Sequence, residues 1–364
     1  MSRLLLISLG QLNGHILEAA ARSGGFAEIV VAGRDPTRGV RKTNQARIGG
    51  AIEGHYPAIR FVEIDVNRTS AAGLLREVAP DVALAAPSML PWWQLDRLTG
   101  AAAGAARAVP FAGWIACHLA PMLAVRRAWA DSGLKSPWVG ASYPDVVNAI
   151  LHRSGSGPVC GVGNVDEVIP KVRFAVADET GCDPAAVKVS LVAQHALEYF
   201  VYRETGMPAG EAPPFMLRAE LDGQDVSGIA RAGMFAPFPI PYELDFNLLT
   251  TSSALRLLPA LAGHGMAHMH VPAPGGLPGG YPVRVDAGCV SLDLPAGWAI
   301  ENALAGNLAS LPWDGLQSIE PDGTVVFTDA TARALFELTG ECFESLAPNG
   351  ASAMASKLVE AVAG

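Results

Sequence analysis

The first 150 residues alternate between short apolar runs and amphipathic segments, and this alternation constrains the fold more than any other feature of the sequence. The runs RLLLISLG, AEIVVAG, AIRFVEIDV, DVALAAPS and SPWVGAS have the length and composition of strands. The segments GHILEAAARSG, SAAGLLREVA and YPDVVNAILHR have helical periodicity, and the first ends on two glycines. Strands that alternate with helices form a parallel sheet with right-handed connections. We therefore predict an α/β, doubly wound parallel sheet.

The pattern changes after residue 155. DEVIPKVRFAVADETG predicts a helix and AAVKVSLVAQH a strand, whereas residues 206–240 are rich in Pro and Gly and predict loops with antiparallel strand pieces. LTTSSALRLLPALAG predicts another helix, AHMHVPAP, YPVRVDA and CVSLDLP predict strands, and TARALFELTGECFESLA begins a closing helical region. We predict two domains, a doubly wound domain over 1–150 and a mixed α+β domain over 151–364.

Composition narrows the functional classes. The chain has 364 residues, is 50% hydrophobic and 17% charged, and carries a formal net charge of −9. A large core is therefore available, and an acidic protein is unsuited to nonspecific binding of nucleic acid or acidic membranes. The five cysteines never form a CxxC pair, which favours a reduced, cytoplasmic protein.

Two apolar stretches could be mistaken for membrane or targeting segments. RLLLISLG has too short an apolar run for a signal sequence and is better interpreted as a first strand. Residues 108–125 lack Asp, Glu, Lys and Arg, but Pro110, Pro121 and His118 interrupt them. We predict a buried loop and helix there and no membrane partner.

The first strand runs into the turn SLGQLNGHI, which partly matches the G-x-G-x-x-G pattern of a Rossmann dinucleotide site. The three glycine positions hold Ser8, Gly10 and Asn13, with Gly14 one residue late. Only the middle glycine, where the backbone must approach phosphate, is kept, so an ordinary βα turn remains the alternative. The predicted cofactor contacts here are Ser8, Gly10, Gln11, Leu12 and Asn13.

The end of the second strand predicts which cofactor binds. An NAD enzyme usually carries Asp or Glu there, but this chain has AGRDPTRGVRK, with Gly33 at that position and Arg34 next. Gly33 makes room for a 2′-phosphate, and Arg34 with Arg38 can pair with it. We predict NADP, with NAD the weaker candidate; a solvated surface loop is the alternative interpretation of these charges.

Two segments together resemble the lactate and malate dehydrogenase superfamily. SYPDVVNAIL follows the fifth strand, and CGVGNVDEVIPKVRFAVADETGCDPAAVKVSLVAQH follows in turn. From Gly181 through Pro184 and Val187 to His195 the resemblance runs without a gap. It implies a C-terminal α+β domain of lactate/malate dehydrogenase type, hydride transfer with a nicotinamide cofactor, a small-molecule substrate, and a homodimer or homotetramer.

The same resemblance assigns roles to individual residues. His195, at the end of a strand, is implied to be the acid/base for the substrate hydroxyl, with a carboxylate holding its other nitrogen. Glu167 is preferred over Asp166 for that carboxylate, although neither is in register with the family. A core histidine remains the alternative for His195. Cofactor contacts are also predicted after the fourth and fifth strands, at Pro87, Ser88 and Ser142.

Departures from the family argue against a strict lactate or malate dehydrogenase. Tyr143 replaces the family's Asn after strand five, and the loop that carries an Arg there has Gln94, Leu95 and Asp96. No residue clearly matches the Arg that binds a substrate carboxylate; Lys171 or Arg173 could serve after a shift. A larger, less charged substrate is therefore predicted, such as a secondary alcohol or ketone. The predicted substrate contacts are Tyr143, Lys171, Trp92 and Thr250.

Two other functions stay open. A redox-assisted glycosidase of the same fold would keep its nicotinamide bound and need a divalent metal, but Gly163 stands where that family has its metal-binding Cys. A nucleotide sensor that has lost its catalytic activity would bind NADP but catalyse no reaction.

The segment GHGMAHMH contributes His264, His268 and His270 at spacings that can bind zinc, but a polar wall of the substrate site is an equally good interpretation. We predict no metal site.

Overall fold

The computed structural model describes residues 2–100, 102–203, 205, 209–241 and 244–363. Its first half is built on a five-stranded parallel sheet. The strands are β1 (Arg3–Ile7), β2 (Glu28–Gly33), β3 (Ala58–Glu63), β4 (Val82–Ala85) and β5 (Trp138–Gly140). Their order is β3-β2-β1-β4-β5, so the winding direction reverses between β1 and β4. Ligands of such sheets bind outside the carboxyl ends of the strands at this reversal.

Helices connect these strands, and the sequence predicts the first, third, sixth and seventh of them but not the other three. They are α1 (Gln11–Ser23), α2 (Pro36–Ile52), α3 (Ala71–Val78), α4 (Trp92–Asp96), α5 (Ala102–Ala108), α6 (Ile115–Ser132) and α7 (Pro144–Arg153). Gly24 ends α1 in the left-handed conformation, and the Asp35 side chain caps the first turn of α2 by accepting from the Arg38 amide. The predicted doubly wound sheet is confirmed.

The second half mixes helices with three small antiparallel sheets, as predicted. Its helices are α8 (Val165–Thr180), α9 (Glu198–Val201), α10 (Ser227–Met234), α11 (Asn247–Leu261), α12 (Ile300–Ala309), α13 (Leu311–Asp314), α14 (Asp329–Thr339) and α15 (Ala351–Ala363). Its strands are β6 (Lys188–Val192), β7 (Met216–Leu221), β8 (Gln224–Asp225), β9 (Ala267–Pro272), β10 (Gly280–Asp286), β11 (Cys289–Leu292), β12 (Leu316–Ile319), β13 (Val325–Phe327) and β14 (Ser345–Leu346). The sheets have the orders β6-β7-β8, β11-β10-β9 and β12-β13-β14. The sequence did not predict α9, α10, α12 or α13.

One hydrophobic core joins the beginning and the end of the chain. Leu5 and Val30 of the parallel sheet and Leu119 of α6 belong to the same buried cluster as Leu335 and Leu358, which lie in α14 and α15. The last 50 or so residues therefore close over the first half. The division into 1–150 and 151–364 remains a prediction, and this shared core links its two parts.

The apolar segment 108–125 folds inside the protein. Most of it forms the beginning of α6, whose first five residues are all buried, and Pro121 lies within that helix. None of the helices in the described residues combines the length and apolar character needed to cross a membrane.

Candidate functional site

The turn between β1 and α1 leaves its backbone open to a ligand. Ser8 adopts a left-handed φ of 77°, and Gly10 caps α1 with extended backbone and no side-chain hydrogen bond. A Cβ atom built on Gly10 would meet no atom within 4 Å, so the space beside it is open. The first amides of α1 can therefore receive an anion.

The Asn13 side chain is bonded inside the protein. Its side chain is fully buried, and its Nδ2 donates to the carbonyl oxygens of Ile7 at 2.9 Å and Ser8 at 2.7 Å. Both amide hydrogens are thereby used inside the protein. This side chain ties the end of β1 to α1 and so shapes the turn. Contact between the cofactor and the backbone amide of Asn13, in the first turn of α1, remains a prediction.

A cleft of about 170 Å³ lies beside this turn. Gly10 and Gln11 line it at the start of α1, and Arg38 and Lys42 line it from α2. The α2 helix thus brings two cationic side chains to the predicted phosphate turn. Arg34 is exposed immediately after Gly33, the last residue of β2.

A larger cavity of about 470 Å³ lies at the carboxyl ends of the parallel strands. Leu12, in the first turn of α1, and Ala141, just after β5, line one side of it. The second half of the chain supplies the remaining walls with Glu167, His195, Glu198, Tyr199, Phe246 and Thr250, among others. Residues far apart in sequence therefore meet at the edge of the sheet where the winding reverses.

His195 is held by a carboxylate inside this cavity. Its Nδ1 lies 3.0 Å from Oδ2 and 3.2 Å from Oδ1 of Asp314, the last residue of α13. The Asp314 side chain is fully buried and also accepts hydrogen bonds from the Tyr143 hydroxyl at 2.9 Å and from Nε2 of Gln194 at 2.8 Å. Three donors thus fix the carboxylate that orients the imidazole.

This pairing raises the proton affinity of the ring. Burial by itself lowers the pKa of His195, but the charge and hydrogen bond of Asp314, together with Asp145 and Glu167, outweigh it and raise the pKa above its ordinary value. Burial likewise acts to raise the pKa of Asp314, yet its contacts to His195, Gln194 and Tyr143 lower it overall. The pair therefore favours an imidazolium beside a carboxylate.

The predicted carboxylate partners of His195 are wrong. Asp166 accepts instead from the Ser253 hydroxyl at 2.8 Å, from the Arg256 guanidinium at 3.3 Å and from the His270 amide at 3.2 Å. Its position in the first turn of α8 points it toward α11 and β9. Glu167 does line the cavity, but its carboxylate contacts Thr250 and Glu198.

Three aromatic rings surround the imidazole. The Phe111 ring is tilted over that of His195, with 4.7 Å between centroids. Tyr143 and Tyr199 present their rings edge-on, at 5.4 and 5.2 Å. Packing on three sides, together with Asp314, restricts rotation of the imidazole and leaves Nε2 as the nitrogen for exchange with a ligand.

Glu167 and Glu198 form a second acidic group in the cavity. Their side chains are hydrogen-bonded to each other, and the Thr250 hydroxyl donates to Oε1 of Glu167 at 2.6 Å. Burial raises the pKa of Glu167 to about 7, and burial together with the neighbouring Glu167 raises that of Glu198 well above its usual value. Two buried carboxyls in contact share a proton because both cannot ionise cheaply.

The predicted substrate contacts have different outcomes. Tyr143 and Thr250 line the cavity. Lys171 does not: it is buried, and its Nζ donates to the carbonyl oxygens of Val201, Met234 and Ala236. Its predicted role in substrate binding is wrong, because all three of its hydrogens are used to join α8 to neighbouring segments. Trp92 begins α4, and its side chain lies outside the described residues.

The predicted contacts after β4 and β5 lie at the same edge of the sheet. The Ser142 hydroxyl donates to the Pro87 carbonyl at 2.7 Å, which joins the segment after β5 to the one after β4. The Ser88 hydroxyl donates to the Leu90 carbonyl at 2.9 Å. These residues shape the wall between the two strands, and their contact with a cofactor remains a prediction.

Sequence reasoning missed several residues of the site. Asp314 stands in LPWDGLQ, which carries no recognisable motif, and Glu198 follows His195 by three residues with no sign that it faces Glu167. Phe111 comes from the segment assigned only to the core. Arg107 of α5 lines the cavity and donates to the Leu98 carbonyl at 2.7 Å. The resembling family carries an Arg at the loop position that holds Gln94 here, so sequence reasoning did not consider Arg107.

The structure gives no support to a metal centre. Gly163 has a left-handed φ of 83°, and a Cβ atom there would lie 2.5 Å from Oε1 of Glu167, so this position is unfavourable for the Cys of the glycosidase branch. His270 accepts from the Leu191 amide, and His268 pairs with Asp293 at 2.7 Å. Across the described ranges, no three His, Cys, Asp or Glu side chains are grouped to hold an ion.

The doubly wound sheet and the mixed second half give the chain the fold of the lactate and malate dehydrogenases. It is similar to malate dehydrogenase from Cryptosporidium parvum, with a TM-score of 0.56 and 10% identity over 86% of this chain and 98% of that one. It is similar to the lactate dehydrogenase of Cryptosporidium parvum solved with lactic acid and nicotinamide adenine dinucleotide, with a TM-score of 0.53 and 14% identity over 86% and 98%.

A lactate dehydrogenase from a Medee basin deep-sea metagenome library matches with a TM-score of 0.54 and 9% identity, over 86% of this chain and 96% of that one. No protein-family model and no curated protein sequence matches the chain. At sequence identities this low, the comparisons establish that the fold is shared and nothing further.

Proposed function

We propose that the protein is an NADP-dependent oxidoreductase that moves a hydride between nicotinamide and the carbinol or carbonyl carbon of a small or medium substrate. One observation carries this proposal: His195, which lines a cavity at the edge of the sheet where dinucleotides bind in this fold, is paired with the buried carboxylate of Asp314. The neighbouring structures named above as lactate and malate dehydrogenases are consistent with that chemistry.

The residues at the β1–α1 turn fit a dinucleotide. The open space beside Gly10 and the free end of α1 suit a pyrophosphate, and Leu12 connects that turn to the cavity of His195. When bound, the nicotinamide supplies or accepts the hydride. The chain itself must place the substrate, hold the proton and exclude water.

His195 is the group that moves the proton. In alcohol oxidation its Nε2 accepts the hydroxyl proton as the carbon loses its hydride, and in ketone reduction the imidazolium returns it. Asp314 stabilises the charged ring and fixes Nδ1 as the inner nitrogen. Tyr143 and Gln194 act through Asp314, since both donate to its Oδ2.

Preference for NADP is supported by the charges around the end of β2. Gly33 puts no carboxylate at the position where one would repel a 2′-phosphate. Arg34 is exposed beside it, and Arg38 and Lys42 line the cleft that also contains Gly10. Homodimeric or homotetrameric assembly and a cytoplasmic location remain predictions.

Two measurements test the proposal. Fluorescence titration should show that NADPH binds, and binds more tightly than NADH. A panel of secondary alcohols and ketones, followed by absorbance of the reduced cofactor, should then identify a substrate that wild type turns over. His195→Asn should bind NADPH as wild type does and lose about 10²–10⁴-fold in turnover. Equal turnover by wild type and His195→Asn would eliminate the proton-transfer role.

A further inference from the structure

Several buried carboxyl groups lie in and beside the cavity around His195. Glu167 and Glu198 line this cavity, and Asp145 and Asp314 lie buried beside it and interact electrostatically with the imidazole. Three of the four are at most 3% exposed, and Glu167 is 7% exposed. His195 can balance one negative charge. The other carboxyl groups must share protons with one another or be neutralised by a cationic ligand.

The described lining of this cavity offers little positive charge in return. Besides His195, Arg107 is its one cationic residue; it lies exposed on α5, with its guanidinium bonded to the Leu98 carbonyl. Lys171 is bonded to three carbonyl oxygens and is not part of the lining. A substrate carboxylate placed near His195 would therefore meet repulsion from the acidic side chains.

One carboxylate oxygen also lacks a donor. Oε1 of Glu198 is buried and has no hydrogen-bond partner, although Glu198 is only 3% exposed and lines the cavity. The side chain contacts Glu167 and thereby meets part of its hydrogen-bonding capacity. Apart from the proton that Glu198 shares with Glu167, no group of the described residues donates to this oxygen, and a ligand with an N–H group would supply that hydrogen bond.

Aromatic rings line the same space. Phe111, Tyr143, Tyr199 and Phe246 all border the cavity, and three of them lie against His195. Ring faces attract organic cations, most strongly where water is excluded. Acidic groups and aromatic walls in one cavity are complementary to an organic ammonium ion.

We propose that the substrate carries an ammonium group close to the reacting carbon, so that the protein interconverts an amino alcohol and an amino ketone. This inference rests on the proposed oxidoreductase function. In the oxidative direction the carbinol C–H leaves as hydride to NADP⁺, the hydroxyl proton passes to His195, and a C=O bond forms. The ammonium group binds at Glu167 and Glu198 and takes no part in the redox step.

Ligands of matched shape and different charge test the inference. Isothermal titration of the full-length protein with cyclohexylamine, cyclohexanol and cyclohexanecarboxylate at about pH 7 should show that the amine binds tightest. Its affinity should exceed that of the other two by about tenfold or more, because charge interactions are strong in a buried site. Binding of the neutral or the anionic probe that equals or exceeds that of the amine would overturn the inference.

The double variant Glu167→Gln/Glu198→Gln shows where the preference resides. It keeps the shape and the side-chain hydrogen bond of the pair but removes its charge, so it should lose about tenfold in amine affinity while cyclohexanol binding stays unchanged. Glu337→Gln, on the exposed face of α14, is the matched control and should bind as wild type does. If the double variant does not fold, the ranking of the three probes on wild type decides alone.

The failure of this inference is distinguishable from failure of the proposed function. NADPH binding is titrated on the same preparations, and the probes are measured with and without the cofactor. NADPH binding without amine preference would overturn the ammonium substrate and leave the oxidoreductase proposal in place. Amine preference in a protein that binds no nicotinamide cofactor would overturn the oxidoreductase and, with it, the amino alcohol as a substrate.

Discussion

Nδ1 of His195 lies 3.0 Å from Oδ2 of Asp314, although 119 residues separate the two in sequence. The contact joins the strand-end segment of the second half to the short helix α13, close to where the chain turns back over the first half. It gives the cavity an imidazole whose orientation and proton affinity are set by a single carboxylate.

Asp314→Asn should lower the pKa of His195, because the charge and hydrogen bond that offset burial are lost. In alcohol oxidation, which needs the neutral imidazole, the acidic limb of the pH–turnover profile should move to lower pH. Maximal turnover should fall, because the ring is a weaker base and is no longer paired with a charge. Imidazole NMR titration, assigned with His195→Asn, measures the pKa.

Asp293→Asn is the matched control for that experiment. Asp293 pairs with Nδ1 of His268 at 2.7 Å, but both side chains are about half exposed. Water screens such a pair, so turnover and its pH profile should stay as in wild type. An Asp314→Asn variant as active as Asp293→Asn would show that the buried pair has no part in the reaction.

Stability should fall as the pH rises through neutrality. The pKa of Glu167 rises from 4.5 to about 7 on folding, mainly through burial, so the folded state holds a proton that the unfolded state releases. The free energy of unfolding therefore decreases between about pH 5 and pH 8. Glu167→Gln/Glu198→Gln should flatten this decrease, as urea unfolding at several pH values can measure. His195, with its raised pKa, contributes in the same direction and remains in the double variant.

A double variant whose stability falls with pH as steeply as that of wild type would contradict the shared proton. Glu337→Gln, an exposed carboxylate on α14, should reproduce the wild-type curve and serves as the control.

Arg38→Ala should weaken NADPH binding about tenfold, or about 1.4 kcal/mol, and leave NADH binding nearly unchanged. The reason is that Arg38 lines the cleft beside Gly10 and can pair with a 2′-phosphate, which NADH lacks. Arg47→Ala, exposed on the same helix and outside the cleft, should affect neither cofactor. Equal losses of affinity for NADPH and NADH would show that Arg38 does not bind the 2′-phosphate.

Lys171→Met should destabilise the protein by about 3 kcal/mol or more, because three buried carbonyl oxygens lose their donor. Substrate KM should change little in the protein that remains folded, since Lys171 is not in the cavity. Denaturant unfolding and steady-state kinetics separate the two effects. A rise in KM without loss of stability would restore the substrate-binding role predicted from the sequence.

Local sequence patterns were sufficient to predict much of the architecture. The five strands of the parallel sheet, α8, and the strand that leads to His195 all follow from periodicity, length and terminal glycines. Those signals arise within about ten consecutive residues. The side chains that complete the site come from separate elements, so their meeting depends on packing between distant segments. Asp314 and Glu198 could not be assigned for this reason.

Asn13 illustrates the same limit within a motif. Its position in the glycine turn predicted contact with a cofactor, yet the side chain points inward and bonds the end of β1. The sequence gives the position of a residue along the turn, but the direction of its side chain depends on the backbone conformation, here including a left-handed Ser8.

A crystal structure of the protein with NADPH bound tests the central claim most directly. The account predicts that the pyrophosphate contacts the amides beside Gly10, that the 2′-phosphate lies near Arg34 and Arg38, and that the nicotinamide enters the cavity where Nε2 of His195 faces its reactive carbon across the space for one substrate. A dinucleotide bound elsewhere, or a nicotinamide separated from His195 by protein, would contradict it.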